Sequence, residues 1–331
     1  MSEKNFKTIL LLGLPASGKS EIREFINNNS KQNITSLHIG ENVQLDDFPY
    51  VHFFSCIDEE LIKLKQNRLF YTAQDPFIDD RDWGTLVNLL NQDYYDLVNK
   101  TKIETANPVA YIFDRIDEAS ITVGIRPRLS LLPTVILNKL YVNLKAEAEK
   151  LVLLKNNQLG IDLDNKTIVI EMSRGGKDGA SFPLTGAKGY QYSLKQLNPK
   201  ILSDAVILYV WVTPEESRRK NADRCDPNDP GSNLHHGVSL NVLLNDYGCD
   251  DLIYLTEISD VKDTVKVSSW GNDYYLPTGI FDNRQDKTSF LRNDYRDWKK
   301  EDIDYVVNGL SKATDTMYKT NAEREIKQSA K

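Results

Sequence analysis

Short, nearly continuous apolar runs alternate along the chain with stretches whose apolar residues recur every three or four positions. Runs of strand length lie at residues 8–12, 36–39, 50–54, 109–113, 167–170, 205–212 and 274–281. They lack polar alternation, which suits strands covered on both faces of a parallel sheet. Helical spacing follows the first run at residues 21–26. It recurs at residues 132–154, where Ile136, Leu137, Leu140, Tyr141, Leu144 and Leu151 come after Pro133. It appears again in Ile303, Val306, Val307, Leu310 and Met317. Strands alternating with helices predict a three-layer, doubly wound α/β fold with ligands at the carboxyl ends of the strands.

Two long segments interrupt the alternation. Residues 69–102 are rich in aspartate and aromatics, and residues 221–252 include an Asp-Pro-Asn-Asp-Pro-Gly run at 226–231. Long insertions in compact domains often serve as lids or binding loops. The pattern therefore predicts one α/β domain over residues 1–320, with an insertion at about 69–102 and a lid over 218–252. A polar tail, expected to fray, follows at 321–331. No internal repeat or low-complexity tract is present.

The turn after the first run reads Gly13-Leu14-Pro15-Ala16-Ser17-Gly18-Lys19-Ser20. It fits G-x-x-x-x-G-K-[ST], with an apolar strand before it and a helical stretch after it. From average residue usage, a chain this long meets the bare pattern by chance about one time in a hundred, and the flanking elements lower that further. Glycines let a backbone close around an anion, successive N–H groups point inward, and the helix N-terminus adds a positive dipole end. Gly13, Pro15, Ala16, Ser17, Gly18, Lys19 and Ser20 are thus the candidate nucleotide-binding residues. Lys19 would neutralise phosphate, and the Ser20 hydroxyl would ligate Mg²⁺.

Such a loop needs a nearby carboxylate for the metal or the nucleophile. Two apolar runs end in one followed by arginine: Ile112-Phe113-Asp114-Arg115, and Ile170-Glu171-Met172-Ser173-Arg174. Charges are costly inside a strand, so their position at the expected strand ends marks Asp114, Glu171 and Arg174 as candidate site residues. After the run at 205–212, Thr213 can cap a helix, Pro214 takes its first position and Glu215 and Glu216 fill its first turn. Arg219 and Arg224 follow on that helix. A planar guanidinium suits phosphate oxygens and transition-state charge.

Composition narrows the classes. The chain has 331 residues, 40% hydrophobic and 27% charged, as in globular proteins. A net charge of -7 argues against a broad nucleic-acid surface, which needs a basic field, and leaves a local basic groove open. Cys56, Cys225 and Cys249 are odd in number and widely spaced, so they predict free thiols in a reducing compartment. His235-His236 match no usual metal-ligand spacing. No apolar stretch reaches membrane-spanning length, and residues 1–5 lack a signal peptide's apolar core, so a cytoplasmic protein is expected.

The motifs resemble those of P-loop kinases of the nucleoside and nucleotide kinase group. The loop at 13–20 is similar to theirs, including Pro15 at its third position. The segment from Val210 through Thr213-Pro214-Glu215-Glu216 to Arg218, Arg219 and Arg224 resembles their fourth strand and lid helix. Phe113-Asp114-Arg115 is similar to the Asp-Arg of thymidylate kinases. Glu171-Met172-Ser173-Arg174 is similar to the Glu-Arg-Ser of deoxynucleoside kinases, with the last two residues reversed. The resemblance covers about a third of the chain by motif. It implies a Mg-ATP-dependent phosphotransferase acting on a small molecule, a nucleoside or nucleotide. Glu171 would hold Mg²⁺, Asp114 would orient the acceptor hydroxyl, and Arg174, Arg219 and Arg224 would steady the transferred group. A polynucleotide-end kinase, and a nucleotide-hydrolysing switch acting on a protein partner, are the alternatives.

Overall fold

All five residues of Thr8–Leu12 are buried, and they form strand β1. A computed structural model describes residues 5–29, 37–224 and 237–329. The chain divides into two compact units, Met1–Gln44 with Leu163–Lys331, and Leu45–Asp162.

The first unit is α/β. Its sheet contains β1, β2 (Asn42–Asp46), β3 (Thr167–Met172), β4 (Ala205–Trp211), β5 (Thr264–Ser269) and β6 (Asn272–Asp282), in the order β2-β3-β1-β4-β6-β5. β1 runs parallel to β3 and β4, and β4 parallel to β6, while β5 returns antiparallel to β6. Side chains alternate across a strand. Ile9 and Leu11 accordingly join Val169, Val206, Leu208 and Val210 in one core. That face is covered by Ile22, Phe25 and Ile26 of α1 (Lys19–Asn29) and by Val306, Leu310, Ala313 and Met317 of α12 (Lys300–Ser329). Leu10, Leu12 and Tyr209 face the other way. Buried residues of α7 (Gly189–Lys195), α8 (Pro199–Asp204) and α11 (Leu252–Glu257) supply the remaining layer of this unit. Between them come α9 (Pro214–Arg224) and α10 (Leu240–Asn245). The connection from β1 leads toward β2, and that from β4 leads toward β6. This divergence at the carboxyl edge, beside β1, is where open α/β sheets bind ligands.

The second unit is helical: α2 (Phe48–Lys63), α3 (Asp82–Asn99), α4 (Pro108–Thr122), α5 (Thr134–Asn143) and α6 (Lys145–Gln158). Here several expectations are corrected. Residues 109–113, read as a strand, lie in α4. Asn107 caps that helix by accepting from the Ala110 N–H, and Pro108 fills its first turn. Val109, Ile112, Phe113, Ile116 and Ala119 are buried at helical spacing, so the apolar run was one side of a longer helical pattern. Residues 50–54, also read as a strand, belong to α2, where Tyr50, Phe53, Phe54, Ile57 and Leu61 form the buried stripe. The insertion expected at 69–102 is part of this larger unit and contains α3. Residues 132–154 form two helices, with Leu144 at the break.

Corrections fall in the α/β unit too. Residues 37–39 are not a strand, and Ser36 lies outside the described residues; β2 follows instead. The late run at 274–281 does form a strand, β6, parallel to β4 on one side, while its other edge pairs antiparallel with β5 in a hairpin. The tail at 321–331 is helical as far as Ser329. Arg324 ties it down by donating to the Ala205 carbonyl at 2.8 Å. Among the described residues, no helix is long and apolar enough to cross a membrane.

The helical unit contains a buried ionic cluster. Arg115, half of the Asp-Arg pair at 114–115, pairs with Asp93 at 2.7 Å and Asp96 at 2.5 Å. Lys155 also pairs with Asp93, and the Tyr50 hydroxyl donates to it at 2.9 Å. Burial, then the Asp93 charge, holds the Tyr50 phenol well above its usual range. Removing one member of such a cluster leaves a buried charge uncompensated. Arg115→Leu should therefore cost about 3 kcal/mol of stability in denaturant titrations. An unchanged midpoint would show that the cluster is not a stabilising centre of this unit.

Candidate functional site

β1 ends at Leu12, and the loop that follows departs at once from ordinary backbone. φ is +152° at Gly13, +55° at Ala16 and +103° at Gly18. A Cβ on Gly13 would lie 2.5 Å from the Val210 carbonyl oxygen. One on Gly18 would lie 2.4 Å from Thr288 Oγ1 and 2.8 Å from Asn283 Nδ2. Both glycines are therefore required by close approach, and Gly18 by its left-handed backbone as well. α1 starts at Lys19, directly behind the loop.

The loop is clamped from outside. Ser217 of α9 donates to the Pro15 carbonyl at 2.7 Å, and Asn283, just past β6, donates to the Ser17 carbonyl at 2.6 Å. In a trans peptide the C=O and N–H point oppositely. Outward carbonyls at 15 and 17 thus aim the Ala16 and Gly18 N–H groups to the other side, the geometry of an anion-binding nest. Lys19 folds back over the loop, only 5% exposed. Its ammonium donates to the Gly13 and Leu14 carbonyls, each at 3.0 Å, and to Ser173 Oγ at 2.8 Å.

The end of β3 meets this loop. Leu11 and Glu171 are register partners. The Ser20 hydroxyl donates to Glu171 Oε1 at 3.3 Å, while Arg23 pairs with Oε2 at 2.9 Å. Hydroxyl and carboxylate oxygens side by side are the hard donors that Mg²⁺ prefers, and Mg²⁺ takes few protein ligands when phosphate supplies others. Among the described residues, no group of three or more His, Cys, Asp and Glu side chains could hold a metal ion. Ser20 Oγ and Glu171 Oε1 are the adjacent oxygens that could serve as ligands to such an ion.

The other expected residues are placed differently. Arg174 is 2% exposed and turned inward; it donates to Ser193 Oγ at 3.0 Å and to the Ser173 carbonyl at 2.6 Å. Its contacts fix Ser173, which in turn holds Lys19. Asp114 is exposed on α4 of the helical unit, so the strand-end argument for it fails. Arg219 is half-exposed on α9, engaged by Glu216 at 2.6 Å, Asp223 at 2.6 Å and Asp286 at 2.9 Å. Thr213 caps α9 as expected, accepting from Glu216 N. The Arg224 side chain, Cys225, residues 226–231 and His235-His236 lie outside the described residues.

Several site residues carried no motif. Tyr190 is the second residue of α7, and its hydroxyl accepts from the Gly13 N–H at 2.7 Å. Asp251 places it, accepting from the Tyr190 and Gln191 N–H groups at 2.6 and 2.9 Å. Lys220, 1% exposed, pairs with Asp286 at 2.9 Å and donates to Thr288 Oγ1 at 3.1 Å, beneath Gly18. Asp250 receives the Tyr209 hydroxyl on both oxygens, at 3.1 and 2.9 Å. Tyr209 is the register partner of Leu12, the residue before the loop. Burial pushes the Asp250 carboxyl up to about 7, against the pull of the Leu252 N–H, the Tyr209 hydroxyl and the Lys19 charge. The only sequence signal for these groups was their position just after a strand, or in the acidic step Cys249-Asp250-Asp251.

No protein-family model matches the chain, and neither a curated protein nor a solved structure matches it.

Proposed function

We propose that this chain is a Mg-ATP-dependent phosphotransferase of P-loop type that passes the γ-phosphoryl group to a small molecule, a nucleoside or nucleotide. One observation carries the reading: the strand–loop–helix at 8–20 folds Lys19 back onto the Gly13 and Leu14 carbonyls while Ser20 and Glu171 adjoin each other beside it. Backbone N–H groups of the loop would hold the phosphates. Lys19 would exchange carbonyl partners for phosphate oxygens and neutralise charge as it builds on the leaving group. Ser20 and one oxygen of Glu171 would hold Mg²⁺, with Arg23 fixing the other oxygen. A bound Mg²⁺ supplies charge neutralisation across the transferred phosphates. Arg174 would act by positioning Ser173, and Arg219 would have to leave its acidic partners to reach a phosphate.

The test is ADP release from MgATP by the full chain, with nucleosides, nucleotides and sugars as acceptors. Lys19→Ala should slow turnover by at least about a hundredfold, the scale for one charge-stabilising group, while its circular dichroism stays native. Turnover near the wild-type rate in a folded Lys19→Ala protein would overturn the reading.

Glu171→Gln keeps the size and one acceptor oxygen but loses the charge. It should raise the Mg²⁺ concentration needed for half-maximal turnover by about tenfold, the lower range for losing a metal-holding contact. An unaltered Mg²⁺ dependence would leave Glu171 as no more than the partner of Arg23.

A further inference from the structure

Asp250 is held at the carboxyl edge by a construction separate from the phosphate loop. The segment before it docks on the turn after β3: Gly176 N donates to the Cys249 carbonyl at 2.9 Å, and Gly248 N donates to the Gly176 carbonyl at 2.8 Å. Gly175 allows this, since a Cβ there would lie 2.3 Å from the Cys249 carbonyl oxygen. Lys188 pairs with Asp246 on the same segment. Leu252 N donates to Asp250 Oδ1 at 3.0 Å, so the carboxyl is fixed by backbone as well as by Tyr209. The next residue, Asp251, is spent on α7. Among the described residues, no hydrogen bond joins Asp250 to a cation, and the residue as a whole is part-buried.

The ionisable groups facing it are Tyr209 from β4, Tyr190 from α7, Lys19 from the start of α1, and its neighbours Cys249 and Asp251. Lys19 is the phosphate-loop cation, and Tyr190 touches Gly13. The carboxyl therefore lies within electrostatic reach of both ends of the loop. A carboxylate fixed by the Tyr209 hydroxyl and the Leu252 N–H, and within Coulombic range of the loop lysine, has the placement that a base needs.

We propose that Asp250 is the catalytic base of this site, binding the acceptor hydroxyl and taking its proton during phosphoryl transfer. This rests on the phosphotransferase reading. The acceptor oxygen forms a bond to the γ-phosphorus, and the bond from that phosphorus to the β,γ-bridging oxygen breaks. The electron pair leaves on ADP, and the hydroxyl proton goes to Asp250 and thence to solvent. Tyr209 orients the carboxylate and leaves its remaining lone pairs for the acceptor. The role expected of Asp114 thereby passes to a residue on a different unit.

The experiment uses the full chain, with mant-ATP binding and ADP release measured between pH 5.5 and 9. The acceptors are nucleosides, nucleoside monophosphates and hexoses, with water as the background acceptor. Only the ionised carboxylate accepts a proton, so the wild-type rate should rise about tenfold per pH unit on the acid side. It should level off at or above about 7, because a bound triphosphate adds negative charge that pushes the carboxyl further up. Asp250→Asn keeps an acceptor for Tyr209 and Leu252. It should lower the rate at least about a hundredfold and abolish the acid limb, with mant-ATP affinity within about twofold of wild type. Tyr209→Phe removes a donor to the carboxylate and should move the acid limb to higher pH, a shift that a merely structural contact would not produce. A folded Asp250→Asn protein turning over within about threefold of wild type would overturn the proposal alone. A wild-type chain that fails to bind mant-ATP would instead overturn the nucleotide reading. One that binds it but releases no ADP with any acceptor would overturn both.

Discussion

An ammonium group taken out of water must be met by oxygen, and most of the architecture at the carboxyl edge serves that requirement for Lys19. A buried cation without partners would shed its proton or unfold its surroundings. The loop supplies two carbonyls, at Gly13 and Leu14, and the turn after β3 supplies the Ser173 hydroxyl. These acceptors are neutral, and a phosphate in the same position would be a stronger partner because it carries charge.

The acceptors depend in turn on layers further out. Ser173 is held by Arg174, which braces on Ser193 of α7. α7 is started by Gly189 and capped by Asp251, and its Tyr190 reaches back to Gly13. On the opposite side of the loop, Ser217 and Asn283 hold its outer carbonyls, and Lys220, Asp286 and Thr288 fill the space under Gly18. Residues from β3, α7, α9 and the segment after β6 all meet one eight-residue loop. A change at any of them should be felt at Lys19 through contact rather than over distance.

The helical unit follows a different logic. It places several charges inside: Arg115 with Asp93 and Asp96, and Arg128 with Asp82 at 2.6 Å. Asp58 likewise accepts from the Leu69 and Tyr71 N–H groups at 2.7 and 2.8 Å. Buried ion pairs of this kind seldom add net stability over apolar packing, but breaking one is costly. Asp82, Asp93 and Asp96 are three of the aspartates of residues 69–102, the segment read from the sequence as an insertion.

The amino-acid sequence by itself determined the strand, loop and helix at 8–20, because each step there is local. An apolar run long enough for a strand, glycines where the backbone turns left-handed, and a helix start with Lys and Ser in fixed positions leave little else to form. The same holds for β3, β4 and the Thr213-Pro214 start of α9. Tertiary structure decided what local pattern leaves ambiguous. Val109 to Phe113 is apolar enough for a strand, yet the Asn107 cap and the continuing buried positions Ile116 and Ala119 make it a helix, and Asp114 goes with it to an exposed face. Arg174 and Arg115 read alike in sequence as arginines after a carboxylate, but one supports Ser173 and the other neutralises buried aspartates. Asp250, Tyr190 and Asn283 carry no spacing signal at all. Tyr190 and Asn283 bond to the loop, and Asp250 bonds to Tyr209 on the strand beside β1; contacts between residues so distant along the chain arise from packing rather than from any local periodicity.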